Sequence, residues 1–376
     1  MLNSPALFYM GTALIATIGA CRLQSWLSVR GLRFERIAPE SVQVGDLVTV
    51  EITVWSDHKI RRPLIEIVDA KPGKMIIDAL SKSLPIAPAY DLPIQTQYQF
   101  RPLKRGRYRW SGLTVEGTDA LGLVSTRKHY ETSPAEMTVL PRPIPVSFDI
   151  PSAAGWGISE AESGQARGAG LEPRGVRSYV HGDALRHVHW RSSAKRGELL
   201  VKEFEAGTQA AAAFLIQQTK GTDIGSGAKT TLELICGHAV YLAEAMLRQG
   251  ANVEFPNLEV PKRHSSLQER LNEIYELLAG VQADTDSTLG MQASNLIGEL
   301  PTGSILFLLL SVADPSLVEV IPLLVSKGTS VVPLLYDASH FDARRRVTPA
   351  TDPAFMGALR DAGASPSVMP VEVNVG

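Results

Sequence analysis

The run Ile305–Leu310 (ILFLLL) limits most narrowly what this chain can fold into. A continuous apolar stretch of strand length predicts a strand that is buried on both faces, as in a parallel sheet covered by helices. Ser330–Leu335 has the same character, and stretches with helical spacing separate such runs in the last part of the sequence. This alternation predicts a doubly wound α/β domain over residues 209–376.

Other elements of this domain follow from the same patterns. Further strands are predicted at Ala211–Gln217 and Asn252–Phe255. Helices are predicted at Leu232–Leu247, Leu267–Leu278, Ser316–Val325 and Pro353–Ala362. Ligands of such sheets bind at the carboxyl ends of the strands. The residues that follow these strands include no Gly-rich phosphate loop, nucleophile elbow or paired carboxylates, so the sequence favours a non-enzymatic protein without a cofactor.

Residues 31–145 have a different pattern, which is typical of antiparallel β-structure. Leu47–Val54 alternates apolar and polar residues, as a half-buried strand does. Similar alternation recurs at Pro63–Val68, Gln95–Phe100, Arg107–Trp110 and Leu113–Glu116. Short strands separated by Pro, Gly and Asp predict a β-sandwich, with no residues at catalytic spacing. We therefore expect this domain to act as an adaptor or spacer, followed by a linker and central segment over residues 146–208.

The N-terminus predicts a membrane anchor over residues 1–30. Ala6–Cys21 is uncharged and apolar, and Leu23 and Trp26 extend it past Arg22. Since a span needs about 20 residues, we predict one tilted helix over residues 5–29. Arginines follow this run and no basic residue precedes it. The positive-inside rule then places the bulk of the chain on the cytoplasmic side of the inner membrane.

Two alternatives compete for the N-terminus. Ile18–Cys21 (IGAC) is similar to a bacterial lipoprotein processing site, which would make the chain an envelope lipoprotein acylated on Cys21. A cleaved signal peptide normally carries a basic n-region, which this sequence lacks. The uncleaved anchor is the favoured interpretation.

Charge and cysteine content exclude other classes of protein. The net charge of −2 gives no global field that would attract nucleic acid, so no nucleic-acid partner is expected. Cys21 and Cys236 are the only cysteines, which excludes a disulfide framework and favours a reducing compartment.

The segment Arg174–Glu205 joins the two halves and concentrates histidines and basic residues. His181, Gly182 and Asp183 predict a turn in which Asp183 caps a short helix. The spacing of the histidines does not favour a metal site. An enzyme, for instance a hydrolase that uses His181, Asp183 and His189 as acid and base, remains the alternative hypothesis.

This segment also resembles a known family. Arg177–Trp190 (RSYVHGDALRHVHW), followed by Ser193–Leu199 (SAKRGEL), is similar to the signature of a large bacterial family called domain of unknown function number fifty-eight. Lys104–Tyr108, Asp119–Leu123 and Val139–Arg142 match further landmarks of that family. The matching signature positions, which we expect to be structural or partner-binding, are Arg177, Tyr179, Gly182, Asp183, Arg186, Trp190, Ser193, Ala194, Gly197 and Glu203.

The resemblance implies an N-terminal membrane segment, a β-sandwich and a von Willebrand factor A-like α/β domain. It also implies a scaffold or adaptor that acts with a MoxR-type AAA+ ATPase in the assembly or maturation of other proteins. The chain departs from the family in having one predicted span rather than two, and in having His181 where proline usually stands.

A further departure concerns the metal loop of A-type domains, Asp-x-Ser-x-Ser after the first strand. The matching positions here are Gln217, Thr219 and Gly221, and Lys220 adds a positive charge. Because Mg²⁺ prefers carboxylate and hydroxyl oxygens, Thr219 and Asp314 alone would hold it poorly. We therefore predict a degenerate site that binds no metal.

Overall fold

The structure of the protein is a computed structural model. It describes residues 5–59, 62, 64–69, 72–73, 75–78, 84–90, 92–146, 173–178, 193, 195, 197, 200–204, 211–258 and 266–371. The chain divides into two compact units, the first comprising Met1–Arg142 with Leu278–Gly280 and the second Pro143–Leu277 with Val281–Gly376. The finer division predicted from the sequence stays a prediction.

The first unit begins with helix α1 (Pro5–Ser28), which ends one residue before the helix predicted over residues 5–29. Within the described residues, α1 is the helix long and apolar enough to cross a membrane. Its 24 residues span about 36 Å, whereas a bilayer core is about 30 Å thick. Length and composition are thus consistent with membrane anchoring, and they specify neither the membrane nor the side.

The rest of the first unit is made of strands in two sheets. The strands are β1 (Leu32–Ile37), β2 (Ser41–Gln43), β3 (Val48–Ser56), β4 (Ile65–Asp69), β5 (Ile77–Asp78), β6 (Leu84–Ile86), β7 (Ile94–Pro102), β8 (Gly106–Thr118) and β9 (Ser125–Leu140). One sheet has the order β1-β3-β7-β5, and the other has the order β2-β9-β8-β4-β6. All pairings are antiparallel except that of β2 with β9.

The two sheets enclose one hydrophobic core, which confirms the antiparallel β-domain. Alternate residues of β3, among them Val50, Ile52 and Val54, are fully buried against Leu113 and Val115 of β8. The two short strands predicted at 107–110 and 113–116 are in fact parts of the single long strand β8. Its pairing with β9 shifts register between Trp110, opposite Ala135, and Gly112, opposite Glu131. Residues 132–134 of β9 thus lie opposite Ser111 alone, which makes a β-bulge in β9.

The second unit contains the remaining elements. Its strands are β10 (Pro173–Ser178), β11 (Leu200–Phe204), β12 (Ala211–Ile216), β13 (Gly225–Ser226), β14 (Lys229–Thr230), β15 (Asn252–Glu254), β16 (Ile305–Leu310), β17 (Ser330–Leu335) and β18 (Ser367–Val368). Its helices are α2 (Thr231–Arg248), α3 (Leu267–Gly280), α4 (Leu289–Ser294), α5 (Ser316–Ser326) and α6 (Pro353–Asp361). The last three residues of α3, Leu278–Gly280, are counted with the first unit. Side-chain caps begin several of them, and Asp352, for example, accepts hydrogen bonds from the N–H groups of Ala354 and Phe355.

A parallel sheet with the order β15-β12-β16-β17-β18 forms the centre of this unit. On one face, Leu306 and Leu308 of β16 pack in a core that includes Leu317 of α5 and Leu359 of α6. The opposite face is buried too, since Phe307 stacks on Phe214, and α2 contacts β12 and β15. The prediction of a parallel sheet buried on both faces by helices is confirmed.

Candidate functional site

The strand order identifies the point of the α/β sheet where a ligand is expected. If the five strands of this sheet are numbered along the chain, their spatial order is 2-1-3-4-5, which is a common doubly wound arrangement. The chain direction across the sheet reverses between β12 and β16, and open α/β sheets bind ligands outside the carboxyl ends of the strands at this switch point. Gln217 follows β12, and Ser311 follows β16. The candidate site is therefore the loops that begin at these two residues.

The side chain of Gln217 forms hydrogen bonds across this switch point. Its Oε1 accepts hydrogen bonds from the backbone N–H groups of Ser311 and Val312, both at 3.1 Å. Its Nε2 donates to the Val312 carbonyl oxygen at 2.9 Å. Gln217 is buried, and both lone pairs of Oε1 are occupied by these donors. The amide thus joins the ends of β12 and β16 and leaves no acceptor for a cation.

The other positions of the predicted metal loop are bonded within the protein as well. Thr219 Oγ1 donates to the Ser287 carbonyl oxygen at 2.9 Å. Lys220 Nζ lies 2.9 Å from Asp286 Oδ1, in an exposed ion pair. Gly221 has φ of +86°, and its carbonyl oxygen accepts a hydrogen bond from Arg345 Nη2 at 3.0 Å. A non-glycine residue would be strained at this position.

Asp314 is the carboxylate closest in sequence to the end of β16, and it caps helices instead of facing an open site. Its Oδ2 accepts a hydrogen bond from the Gly290 N–H at 3.1 Å, and its Oδ1 accepts one from the Ser316 N–H at 3.1 Å. In the part of the chain that the structure describes, no three His, Cys, Asp or Glu side chains come together as a metal cluster. With Gln217 at the first loop position, this donor set does not fit a divalent cation.

We predict that replacing Gln217 with leucine destabilises the α/β unit by about 1–3 kcal/mol, because buried N–H and C=O groups at the end of β16 lose their partner. Urea unfolding of the full chain in detergent measures this loss, with the reactivity of the buried thiol of Cys236 as reporter of this unit. The matched control is Gln268→Leu on the exposed face of α3, for which a change within about 0.5 kcal/mol is expected. Equal unfolding midpoints for the two variants would contradict the prediction.

A cleft of 330 Å³ opens beside this edge of the sheet, within the size range of ligand pockets. Its lining residues are Leu215, Glu254, Pro256, Asn257, Gln292, Asn295, Leu296, Glu299 and Leu300. Carboxylates and carboxamides thus face apolar walls. The charged groups of the lining are acidic, so the cleft suits a ligand that is cationic or rich in hydrogen-bond donors.

Asn257 of the cleft has a side-chain oxygen that is buried and accepts no hydrogen bond from the described residues. Its Nδ2 donates to the Ile216 carbonyl oxygen at 3.0 Å and to Gln292 Oε1 at 2.9 Å. Its Oδ1 is buried, and none of the described residues donates a hydrogen bond to it. A buried acceptor without a donor costs about 1–3 kcal/mol, which a bound donor group would recover. Asn257 could not be predicted as a site residue from the sequence, because nothing in its spacing distinguishes it from a turn residue.

The family signature is described only in part. Arg177 lies in β10 and Glu203 in β11, and these strands form a separate antiparallel pair. Ser193 is buried, and its carbonyl oxygen accepts a hydrogen bond from the Gly197 N–H at 2.9 Å. Gly197 has φ of +73°, as expected of a glycine that ends a turn. The other signature positions, together with His181 and His189, lie outside the described residues; these positions are Tyr179, Gly182, Asp183, Arg186, Trp190 and Ala194.

Sequence reasoning also missed a buried pair of polar side chains. His238 of α2 lies with its Nδ1 at 3.1 Å from the hydroxyl of Tyr336, directly after β17. Burial lowers the pKa of His238 to about 4 and raises that of Tyr336 well above its ordinary value. Both residues are therefore neutral over the physiological pH range. The sequence contains one indication of this pair, because His238 lies on the apolar face of the helix predicted at Leu232–Leu247.

Comparison with known proteins supports the family prediction. The family model described as "Protein of unknown function DUF58" matches residues 175–259. This segment runs from β10 into the turn after β15 and includes Gln217 and Asn257. The predicted resemblance to this family is thus confirmed over residues 175–259. No curated protein matches the chain.

Solved structures show only distant likenesses. The CARDB domain of the PF1109 protein from Pyrococcus furiosus is 18% identical, covering 29% of this chain and 87% of that chain, with a TM-score of 0.20. A conjugative transposon lipoprotein from Bacteroides eggerthii is 11% identical, covering 28% and 98%, with a TM-score of 0.18. At these TM-scores the likenesses carry no argument about fold or function.

Proposed function

We propose that this protein is a membrane-anchored adaptor that binds a protein partner through the cleft of its α/β unit and has no catalytic activity of its own. The buried Oδ1 of Asn257, to which none of the described residues donates, lies in a cleft with acidic residues and is the observation that supports it most. A lysine or arginine side chain of a partner would supply the missing donor, and Glu254 and Glu299 would attract its charge.

The partner we propose is a MoxR-type AAA+ ATPase, which the family resemblance implies. In this proposal α1 spans the inner membrane and the bulk of the chain lies in the cytoplasm, where such an ATPase is available. Arg22, Arg30 and Arg33, which follow the apolar run, support this orientation. The client proteins would then be assembled or matured at the membrane surface.

We further propose that the α/β unit is a von Willebrand factor A-like domain whose metal loop has been lost. Its parallel sheet and the polar loop after β12 support the relationship. Gln217 gives a physical reason for the loss, since it binds the backbone that a metal-binding carboxylate would leave free. Partner binding at this edge would then depend on hydrogen bonds and charge, without a bridging metal ion.

Two alternatives stay open. A hydrolase would use His181, Asp183 and His189, which lie outside the described residues. An envelope lipoprotein would require processing at Cys21, whereas this residue is buried within the helix α1. No observation in the described part of the chain favours either alternative over the adaptor.

Co-purification of the full chain from native membranes tests the adaptor. We expect a MoxR-type ATPase to be recovered with the wild-type chain, and the variant Glu299→Arg to recover roughly tenfold less, as a loss of about 1.4 kcal/mol in binding implies. The matched control is Glu276→Arg, which reverses an equally exposed charge on α3 outside the cleft. Equal recovery of the ATPase with both variants would exclude the cleft as its binding site. If no ATPase were recovered with the wild-type chain, a MoxR-type ATPase would be excluded as the partner.

A further inference from the structure

The last turns of α1 differ from the rest of the helix. From Leu7 to Ile18 the large apolar side chains are exposed, as expected of a segment in contact with lipid. Cys21, Ser25 and Ser28, by contrast, are buried on one side of the helix. These small residues pack against β8 and β9 of the same unit. The helix therefore consists of a free apolar part and a final part that is docked on the β-domain.

Hydrogen bonds fix the tip of the β8–β9 hairpin beside this docked part. Ser25 Oγ donates to the Gly117 carbonyl oxygen and lies near Thr126 Oγ1, both at 2.8 Å. Gln24 Oε1 accepts a hydrogen bond from the Ala120 N–H at 3.2 Å. Gly117 is required for this approach, since a Cβ atom there would lie 2.0 Å from Ser28 Oγ. The position of the tip relative to α1 is thus set by close contact.

The hairpin tip, defined as residues 119–124, has a fixed conformation of its own. Asp119 accepts hydrogen bonds from the N–H groups of Leu121 at 2.9 Å and Val124 at 2.6 Å. Burial works to raise the pKa of Asp119, but these donors outweigh it and keep the pKa below its ordinary value. Gly122, with φ of +70°, completes the turn. The tip presents the side chains of Leu121 and Leu123, which are 64% and 61% exposed.

The tip lies at the level where the apolar run of α1 ends. Gln24 follows Cys21 by three residues, a distance of about 4.5 Å along the helix axis. The polar headgroup region adds about 5–8 Å to each side of the bilayer core, so the tip falls within this region. Trp26 is at the same level, and the Arg30 guanidinium lies 3.6 Å from its ring centroid. Tryptophan and arginine are typical of the membrane interface.

We infer that the hairpin tip is a second membrane contact, with Leu121 and Leu123 inserted into the headgroup region of the bilayer beside α1. The inference rests on the proposed function, because it requires α1 to span a membrane. Lipid is the occupant that the structure favours, since the exposed leucines lie on a tip that is hydrogen-bonded to α1, whose Leu23 and Trp26 are exposed as well. The contact would fix the tilt of the β-domain on the membrane in addition to tethering it.

Quenching by lipid measures this contact in the full chain. The protein is reconstituted into vesicles of phosphatidylcholine and phosphatidylglycerol, with bromine on the lipid chains near the headgroup. An environment-sensitive fluorophore is attached in the variants Leu121→Cys, Ile15→Cys and Leu47→Cys. The native Cys21 and Cys236 are buried, and labelling of the parent chain sets the background. Leu47 is the control because it is an exposed leucine that lies far from α1 within the β-domain. It precedes the first residue of β3, whereas the last residue of β3, Ser56, pairs with Leu32 at the start of the strand that follows α1.

The possible outcomes distinguish failure of the hairpin contact from failure of the membrane anchor α1. We expect brominated lipid to quench the fluorophore at positions 121 and 15 and to leave position 47 unchanged. Quenching at 15 without quenching at 121 would overturn the hairpin contact while the anchor stands. Absence of quenching at both would overturn the anchor and the contact together. Equal quenching at 47 and 121 would show a non-specific association of the β-domain and would also overturn the inference.

Discussion

Replacing Arg36 with methionine is expected to destabilise the β-domain by about 3–5 kcal/mol, because it leaves the buried carboxylate of Asp69 without its positive partner. Arg36 of β1 binds Asp69 of β4 through two hydrogen bonds of 2.8 and 2.6 Å. The two side chains are 0% and 2% exposed. The pair connects β1 of one sheet with β4 of the other.

The surrounding groups explain why this buried pair is tolerated. Tyr98 donates its hydroxyl hydrogen to Asp69 at 2.7 Å, and burial raises the pKa of that hydroxyl above its ordinary value. At the register shift between β8 and β9, the Gly112 carbonyl oxygen accepts a hydrogen bond from Arg36 at 3.0 Å. Each charge thus has its hydrogen-bonding groups satisfied, which is the condition for burying an ion pair without a large cost.

The chain offers a matched control on the same strand. Arg33 of β1 lies 2.6 Å from Asp57 in an ion pair whose side chains are 71% and 38% exposed. Surface pairs contribute about 0–1 kcal/mol, so Arg33→Met should change stability little. Hydrogen-exchange mass spectrometry of the full chain, followed at peptides from β3 and β8, gives the free energy of opening of this unit. Similar losses for the two variants would refute the role of the buried pair.

The central strands β12, β16 and β17 of the α/β unit could be predicted closely from the sequence because they are almost entirely apolar. Ile305–Leu310 and Ser330–Leu335 have the same bounds in the structure as in the prediction. A buried parallel strand has no exposed face to interrupt its pattern, so its ends coincide with the change to polar residues. The short helix α4 was missed, since Leu289–Ser294 is too brief to show helical periodicity.

The β-domain was less predictable because its longest strand is largely exposed. In β9, buried residues alternate with others only from Met137 onward, and Pro134 interrupts the strand pattern. Such a strand is held by hydrogen bonds to β8 rather than by an apolar face, and hydrophobic alternation does not reveal it.

The candidate site was predictable in its position and not in its contacts. The end of β12 was identified from the strand pattern, and the substitution of Gln217 for a carboxylate was visible in the sequence. That the Gln217 amide binds the backbone after β16 depends on strand order, which one sequence does not reveal. Asn257 and the pair of Arg36 with Asp69 depend in the same way on contacts between residues far apart in the chain.

Acid is expected to destabilise the α/β unit through His238. In the unfolded chain this histidine binds a proton near pH 6.5, whereas burial holds the folded pKa at about 4. Between these values the unfolded state binds more protons, so stability is fully present above pH 6.5 and falls as the pH approaches 4. The difference between the two pKa values corresponds to roughly 3 kcal/mol.

The variant His238→Gln is expected to lose this part of the acid sensitivity, because a glutamine keeps a hydrogen-bonding group near Tyr336 and does not titrate. Urea unfolding between pH 7 and pH 4, with a thiol reagent active in acid that reports on Cys236, measures the difference. His340→Gln is the control, since His340 is an exposed histidine of the same unit and its removal should leave the acid sensitivity intact. An unchanged pH dependence in His238→Gln would show that carboxylates alone govern the acid stability of this unit, and that His238 contributes only its packing against Tyr336.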